Sequence, residues 1–257
     1  MSRRHVIFQC EGSRLVGTLD EGDSATGLLL VSGGNEIRSG AWSGQAQFAA
    51  RIAAQGFPVF RFDRRGAGDS EGTNGEFRSS GPDIAAALAA FRAEAPHVER
   101  VVGFGNCDAA SALMLEGGAG LDVLVLSNPW TFEDGDDEGP PEAVRAHYRQ
   151  RLADPAAIRR LLTGQVSLRK LLASLAGALR SAPPPSSLAQ DMAAGIEGFA
   201  GPVVFLVADR DRTGLAFLSA RPGNDPRVRT CEGATHSYVE AQARDWLAEQ
   251  VLEALRG

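Results

Sequence analysis

Nucleophilic catalysis needs a thiol or hydroxyl, an imidazole and a carboxylate brought to one place. The thiols of this chain are Cys10, Cys107 and Cys231. Cys107 lies in GFGNCDAASA (103–112), where the apolar run ERVVGFG gives way to a small-residue helix. A strand–turn–helix bend sharp enough to expose a nucleophile needs small residues two before and two after it, here Gly105 and Ala109. The pattern G-N-C-D-A thus sets alanine where G-x-S-x-G has its second glycine. A side chain on such a bend projects over the sheet with the amino end of the next helix behind it. That dipole favours a thiolate, and the backbone N–H of Asp108 becomes one oxyanion donor. The competing interpretation is a structural thiol in a tight turn, the ordinary fate of a lone buried cysteine. The Asp108 carboxylate opposes the thiolate if it points inward.

A thiol of ordinary pKa is only a few per cent ionised at neutral pH, so the nucleophile needs a base. His5 lies in the first strand, His97 precedes the cysteine-bearing strand at its far end, and His147 falls in an arginine-rich helical stretch. His236, in CEGATHSYVE, follows the last strand and is the base candidate. The orienting acid is expected just past the strand before it, VVFLVADRDRT, which offers Asp209 and Asp211. Ala208 as the small strand-ending residue points to Asp211, three positions on, with Asp209 as the alternative.

These residues need a scaffold that collects strand ends. HVIFQC and RLVGTL pair around an EGS turn, and TGLLLVSGG, ending in a glycine turn, FPVFRF, ERVVGFG, LDVLVLSNP, GPVVFLVADRD and PRVRTCEG follow as strands. Helical patterns at AWSGQAQFAARIAAQG, DIAAALAAFRAEA, DAASALMLEGG and YVEAQARDWLAEQVLEALRG separate or close them. This alternation predicts one α/β domain over residues 1–257: a mostly parallel eight-stranded sheet with helices on both faces. Binding groups should gather at the strands' carboxyl ends. A strandless stretch at about 139–187 interrupts the rhythm and scans as amphipathic helices, a small cap inserted in the domain.

Composition narrows the function. The net charge of −6 argues against a nucleic-acid partner, which wants a basic face. Three distant cysteines make a secreted disulfide framework improbable and suit a reducing compartment. Ser2-Arg3-Arg4 is not followed by an apolar export segment, because Gln9, Glu11, Arg14 and Asp20 interrupt it. No run reaches the roughly 20 apolar residues of a membrane span. A cytoplasmic location is expected. The histidines and cysteines lack metal-ligand spacing and no G-x-G-x-x-G follows the first strand, so no metal or cofactor is expected.

Cys107, Asp211 and His236 follow the chain order nucleophile, acid, base of the α/β-hydrolase family, which the chain resembles over nearly its whole length. FDRRGAGDSEG (62–72) is similar to that family's D-x-R-G-x-G-x-S loop at Asp63, Arg65, Gly66, Gly68 and Ser70, a mostly structural segment. VSGGNEIRSG (31–40) resembles its H-G-G oxyanion loop with Ser32 replacing histidine, which implies a second donor at the backbone N–H of Gly34 or Asn35. The cysteine nucleophile is similar to that of dienelactone hydrolases. A closer resemblance is to the small hydrolases found beside bacterial exosortase A systems. It rests on Gly105 to Ser111, Gly33-Gly34 with Arg38, Arg61 to Gly72, and Asn128-Pro129-Trp130.

The chemistry these features imply is acyl transfer through a Cys-His-Asp acyl-enzyme on an ester, thioester or lactone, finished by water. The partner is a small acyl substrate. Over residues 140–180 the cap carries Arg145, Arg149, Arg151, Arg159, Arg160, Arg169, Lys170 and Arg180 against only Glu142 and Asp154. That excess either attracts a phosphate-bearing acyl carrier or is a solvated face in a chain with one lysine. Trp130 and Arg38 are candidate pocket residues. The alternatives are an acyltransferase with the same triad and a non-catalytic protein of this fold that binds a ligand or partner.

Overall fold

The structure, a computed structural model, describes residues 2–132, 186–221 and 224–257. The expected cap lies outside them up to residue 185, and with it His147 and the basic stretch from Arg145 to Arg180.

All eight expected strands form: β1 Arg3–Cys10, β2 Ser13–Asp20, β3 Thr26–Val31, β4 Val59–Phe62, β5 Arg100–Asn106, β6 Val123–Ser127, β7 Val203–Ala208 and β8 Val228–Cys231. They make one sheet in the order β1-β2-β4-β3-β5-β6-β7-β8. The β1–β2 hairpin and the β2–β4 pair are antiparallel, and every later pair is parallel. Central strands of such a sheet are buried on both faces, so they are apolar throughout. The period of two still shows in where neighbours go: Leu28 and Leu30 enter one core, Leu29 and Val31 the other. β6 divides likewise, with Val123 and Val125 on the first side and Leu124 and Leu126 on the second.

Helices cover both faces. Helix α1 (Gly44–Ala53) packs Ala49 and Ile52 into the core that takes Leu28. Helices α2 (Gly81–Glu94) and α3 (Asp108–Leu115) fill the opposite core with Ile84, Phe91 and Leu113. Two further helices, α4 (Ser187–Glu197) and α5 (Arg212–Ala220), go beyond the sequence expectation and pack Met192 and Phe217 on that same side. Helix α6 (Ala241–Arg256) returns to the α1 side with Leu247 and Val251. The helix expected from residue 41 starts instead at Gly44, after a turn in which Trp42 and Ser43 are left-handed and Trp42 is 93% exposed. No described helix is long and apolar enough to cross a membrane.

The connections from β3 run outward through α1 to β4 and back through α2 to β5, which lies on the other side of β3. That reversal leaves a crevice at the carboxyl ends of β3 and β5, the place where open α/β sheets hold ligands. The 62–72 loop frames it from below. Asp63 is fully buried and accepts hydrogen bonds from the backbone of Arg38 (2.5 Å) and Asp69 (3.0 Å), and its carbonyl accepts from Ser70 Oγ (2.7 Å).

Candidate active site

Cys107 joins β5 to α3 with φ 63° and ψ −129°, a backbone state that side chains other than glycine rarely adopt. A Cβ on Gly105 would stand 2.7 Å from the backbone of Ala109 and Ala110, which is why the bend needs a glycine there. Hydrogen bonds lock the corner: Cys107 N–H donates to Ser127 O (2.9 Å), and Trp130 N–H donates to Cys107 O (3.3 Å). Ser111 Oγ donates to Trp130 O (2.8 Å). As the first residue of α3, Asp108 presents its N–H with no intrahelical acceptor.

His236 stands opposite on the loop after β8. Its Nδ1 is 2.9 Å from Asp211 Oδ2, and the ring also hydrogen-bonds Cys107. These two bonds, Asp211's the larger, outweigh burial and push the imidazole up from 6.5 to about 10. Asp211 is 7% exposed and caps α5, accepting from Gly214 N–H (3.0 Å), so the helix itself fixes the acid's aim. Asp209 faces elsewhere: its Oδ1 takes the N–H of Gly233 at 2.8 Å. The structure therefore brings together Cys107, His236 and Asp211 and leaves Asp209 to a turn. His5 and His97 lie apart from this group, bonded to Thr18 Oγ1 (3.3 Å) and Gly22 O (2.9 Å).

The remaining sequence candidates divide. Trp130 sits against the Cys107 corner through its backbone, while its indole donates to Phe132 O (3.0 Å) and stacks edge-on with the Phe132 ring. Arg38 is committed to a network under the crevice, pairing with Asp63, with Asp69 (2.9 Å) and with Thr18 Oγ1 (3.1 Å). Its role is to hold the 33–40 loop to β2 and β4. Asn35 Oδ1 accepts from Asn74 Nδ2 (2.5 Å). Gly34 N–H is occupied: it donates to Asp108 Oδ1 at 2.6 Å. The Asp108 carboxylate is thus turned toward the 33–35 turn, and its other oxygen lies 3.8 Å from the guanidinium of buried Arg64. Arg64 in turn donates to Gly34 O and to Ser80 Oγ (2.8 Å). A Cβ on Gly33 would meet Asp108 Oδ1 at 2.6 Å and Asn106 O at 2.8 Å, so close approach of this loop to α3 requires glycine.

Sequence reasoning named Asn128 only within its N-P-W motif and gave it no role in the site. It is fully buried, left-handed at φ 42°, and reaches all three corners of the site. Its Oδ1 accepts from Ala208 N–H (2.9 Å), three residues before Asp211. Its Nδ2 donates to Asn106 Oδ1 (3.1 Å), next to Cys107, and to His236 O (3.4 Å). A polar residue closing the apolar run LDVLVLS at a strand's carboxyl end was the available signal.

A sequence profile of the Alpha/beta hydrolase family matches residues 28–250. No curated protein matches. Among solved structures, the esterase Pf2001 of Pyrococcus furiosus aligns with TM-score 0.64 at 14% identity, over 99% of this chain and 90% of that one. Est1E of Butyrivibrio proteoclasticus, solved with ferulic acid bound, aligns with TM-score 0.59 at 14% identity, over 98% of this chain and 100% of that one. A serine hydrolase homologue from Coxiella burnetii aligns with TM-score 0.60 at 14% identity, over 99% and 98%.

Proposed function

The chain belongs to the alpha/beta hydrolase family and is a hydrolase, and on that premise we propose that it cleaves an ester, thioester or lactone through an acyl-enzyme on Cys107. The observation that carries this is the His236 ring bonded on one side to Asp211 and on the other to Cys107. His236, held by Asp211, is placed to take the proton of the Cys107 thiol. Sulfur attacks the carbonyl carbon and the C=O electron pair moves onto oxygen; the pair then returns as the bond to the leaving group breaks, and the imidazolium passes its proton to that group. In the acyl-enzyme the ring, neutral after giving up its proton, takes one from water, which attacks the thioester carbonyl; the C–S bond then breaks and sulfur takes the proton back from the ring. Asp108 N–H and a second N–H in the Gly34–Asn35 turn serve the oxyanion. The G-N-C-D-A-A-S elbow further supports a place near the hydrolases found beside exosortase A systems.

A panel of p-nitrophenyl esters and acyl-CoA esters tests the assignment. Turnover by the wild type of at least one ester, a covalent acyl mass on Cys107, and loss of both in Cys107→Ala are expected. Turnover that survives Cys107→Ala refutes it.

A further inference from the structure

An oxyanion site is recognised by backbone N–H groups that hold an oxygen carrying negative charge, and here one such group already holds one. Gly34 N–H, at the end of β3 across the crevice from Cys107, points at Asp108 Oδ1 at 2.6 Å. A bond of that length to an ionised acceptor is of the strong, charge-assisted kind. Asp108 is the residue whose own N–H, at the head of α3, is the other donor. We propose that the Asp108 carboxylate is an internal occupant of the oxyanion site, a positioning residue that a substrate carbonyl must displace from Gly34. Arg64 receives the displaced group. It is buried, stands 3.8 Å from Asp108 Oδ2, and is tied to the same loop through Gly34 O, so the released carboxylate keeps a cationic partner. The consequence is selectivity: acyl groups whose carbonyl oxygen gains enough charge early in attack compete with the carboxylate, and weakly polarised ones do not. This rests on the acyl-enzyme assignment above.

Wild type, Asp108→Ala and the nearly isosteric Asp108→Asn are compared in three measurements. These are the acylation burst with p-nitrophenyl butyrate, inhibition by a trifluoromethyl ketone that forms an oxyanion on Cys107, and the plateau rate of iodoacetamide alkylation. The first two use the oxyanion site and the third does not. In Asp108→Ala, acylation and ketone affinity rise roughly 10-fold, because the competitor for Gly34 N–H is gone. Asp108→Asn shows a smaller rise, since a neutral amide oxygen still accepts but more weakly. The alkylation plateau changes by less than about twofold in both. A fall in acylation and ketone affinity with alkylation preserved overturns the proposal, as do parallel changes in all three measurements. A burst in Asp108→Ala but not in the wild type supports it. If no acyl-enzyme forms in any of the three proteins while Cys107 still alkylates, the proposed function itself fails and takes this inference with it. Should Asp108→Ala not fold, the direction of change in Asp108→Asn decides.

Discussion

Cys10, at the end of β1, and Cys107, at the end of β5, each have an aspartate within reach, and the two carboxylates treat their thiols differently. Cys10 is buried and donates to Asp83 Oδ1 (3.3 Å); burial first, and the carboxylate second, push it up to about 11. Cys107 is half-buried and shares its hydrogen bond with His236, while the neighbouring Asp108 carboxylate is drawn off by Gly34 N–H and Arg64. A nearby acid therefore does not by itself set a thiol's surroundings. What the acid is bonded to matters as much, together with which group faces the sulfur. Cys231 follows Cys10, raised by burial and then by Asp209 and Glu240.

The comparison breaks most readily at Asp211. Asp211→Asn keeps the shape of the α5 cap but removes the charge that holds the His236 proton, and kcat/KM should fall on the order of 100-fold or more. Asp209→Asn, which touches Gly233 and not His236, should leave kcat/KM within about threefold on the same esters. The pH dependence has a definite sign. His236 is raised from 6.5 to about 10 in the folded protein, so its contribution to stability is fully present below about pH 6.5 and is lost as pH rises through 10. The gap in melting temperature between wild type and Asp211→Asn should be widest below about pH 6.5 and close as pH rises from there through about 10. A gap that widens toward alkaline pH contradicts the pairing.

The frame, and the three side chains that meet as Cys107, Asp211 and His236, left local traces in the sequence. Runs rich in Val, Leu, Ile and Phe, bounded by turn residues, marked all eight strands, and Gly105 and Ala109 marked the bend at Cys107. Helices α4 and α5 were not legible, since each contains a glycine that lowers helical propensity and is required for packing. A Cβ on Gly195 would stand 2.0 Å from Met114 O, and one on Gly214 would stand 2.5 Å from Asn128 Oδ1. The choice between Asp209 and Asp211 also needed the fold, because two carboxylates two residues apart face opposite sides of one turn. The Asp108–Gly34 bond joins residues 74 apart, and no local pattern announces it.

Asn128→Gly sharpens the comparison from the Cys107 side. Glycine accepts φ 42° without strain, so this change removes the amide and spares the backbone. Ala208 N–H and His236 O lose a buried partner, which should lower stability by about 1–3 kcal/mol. With the ends of β5, β7 and the His236 loop no longer tied to one side chain, kcat should fall roughly 10-fold with KM nearly unchanged. The rate of iodoacetamide alkylation of Cys107 at neutral pH should fall alongside kcat. An equal loss of stability with kcat intact would make Asn128 a packing residue only.

Cys10→Ala should have the smallest effect, and it tests whether the two thiols are as separate as their surroundings imply. Asp83 keeps both bonds to Arg65, from the backbone N–H (3.0 Å) and from Nε (2.5 Å), so losing the thiol strands no charge. Stability should change by about 1 kcal/mol, the ordinary cost of a small core truncation, and kcat/KM should stay within about twofold. Iodoacetamide at neutral pH should label the folded wild type and Cys10→Ala alike, at Cys107 alone, because a thiol held at about 11 and shielded from solvent has almost no thiolate to offer. Labelling of Cys10 in the folded protein at a rate matching Cys107 would show that the His236 contact does not distinguish the two sites, and the contrast between them would fall.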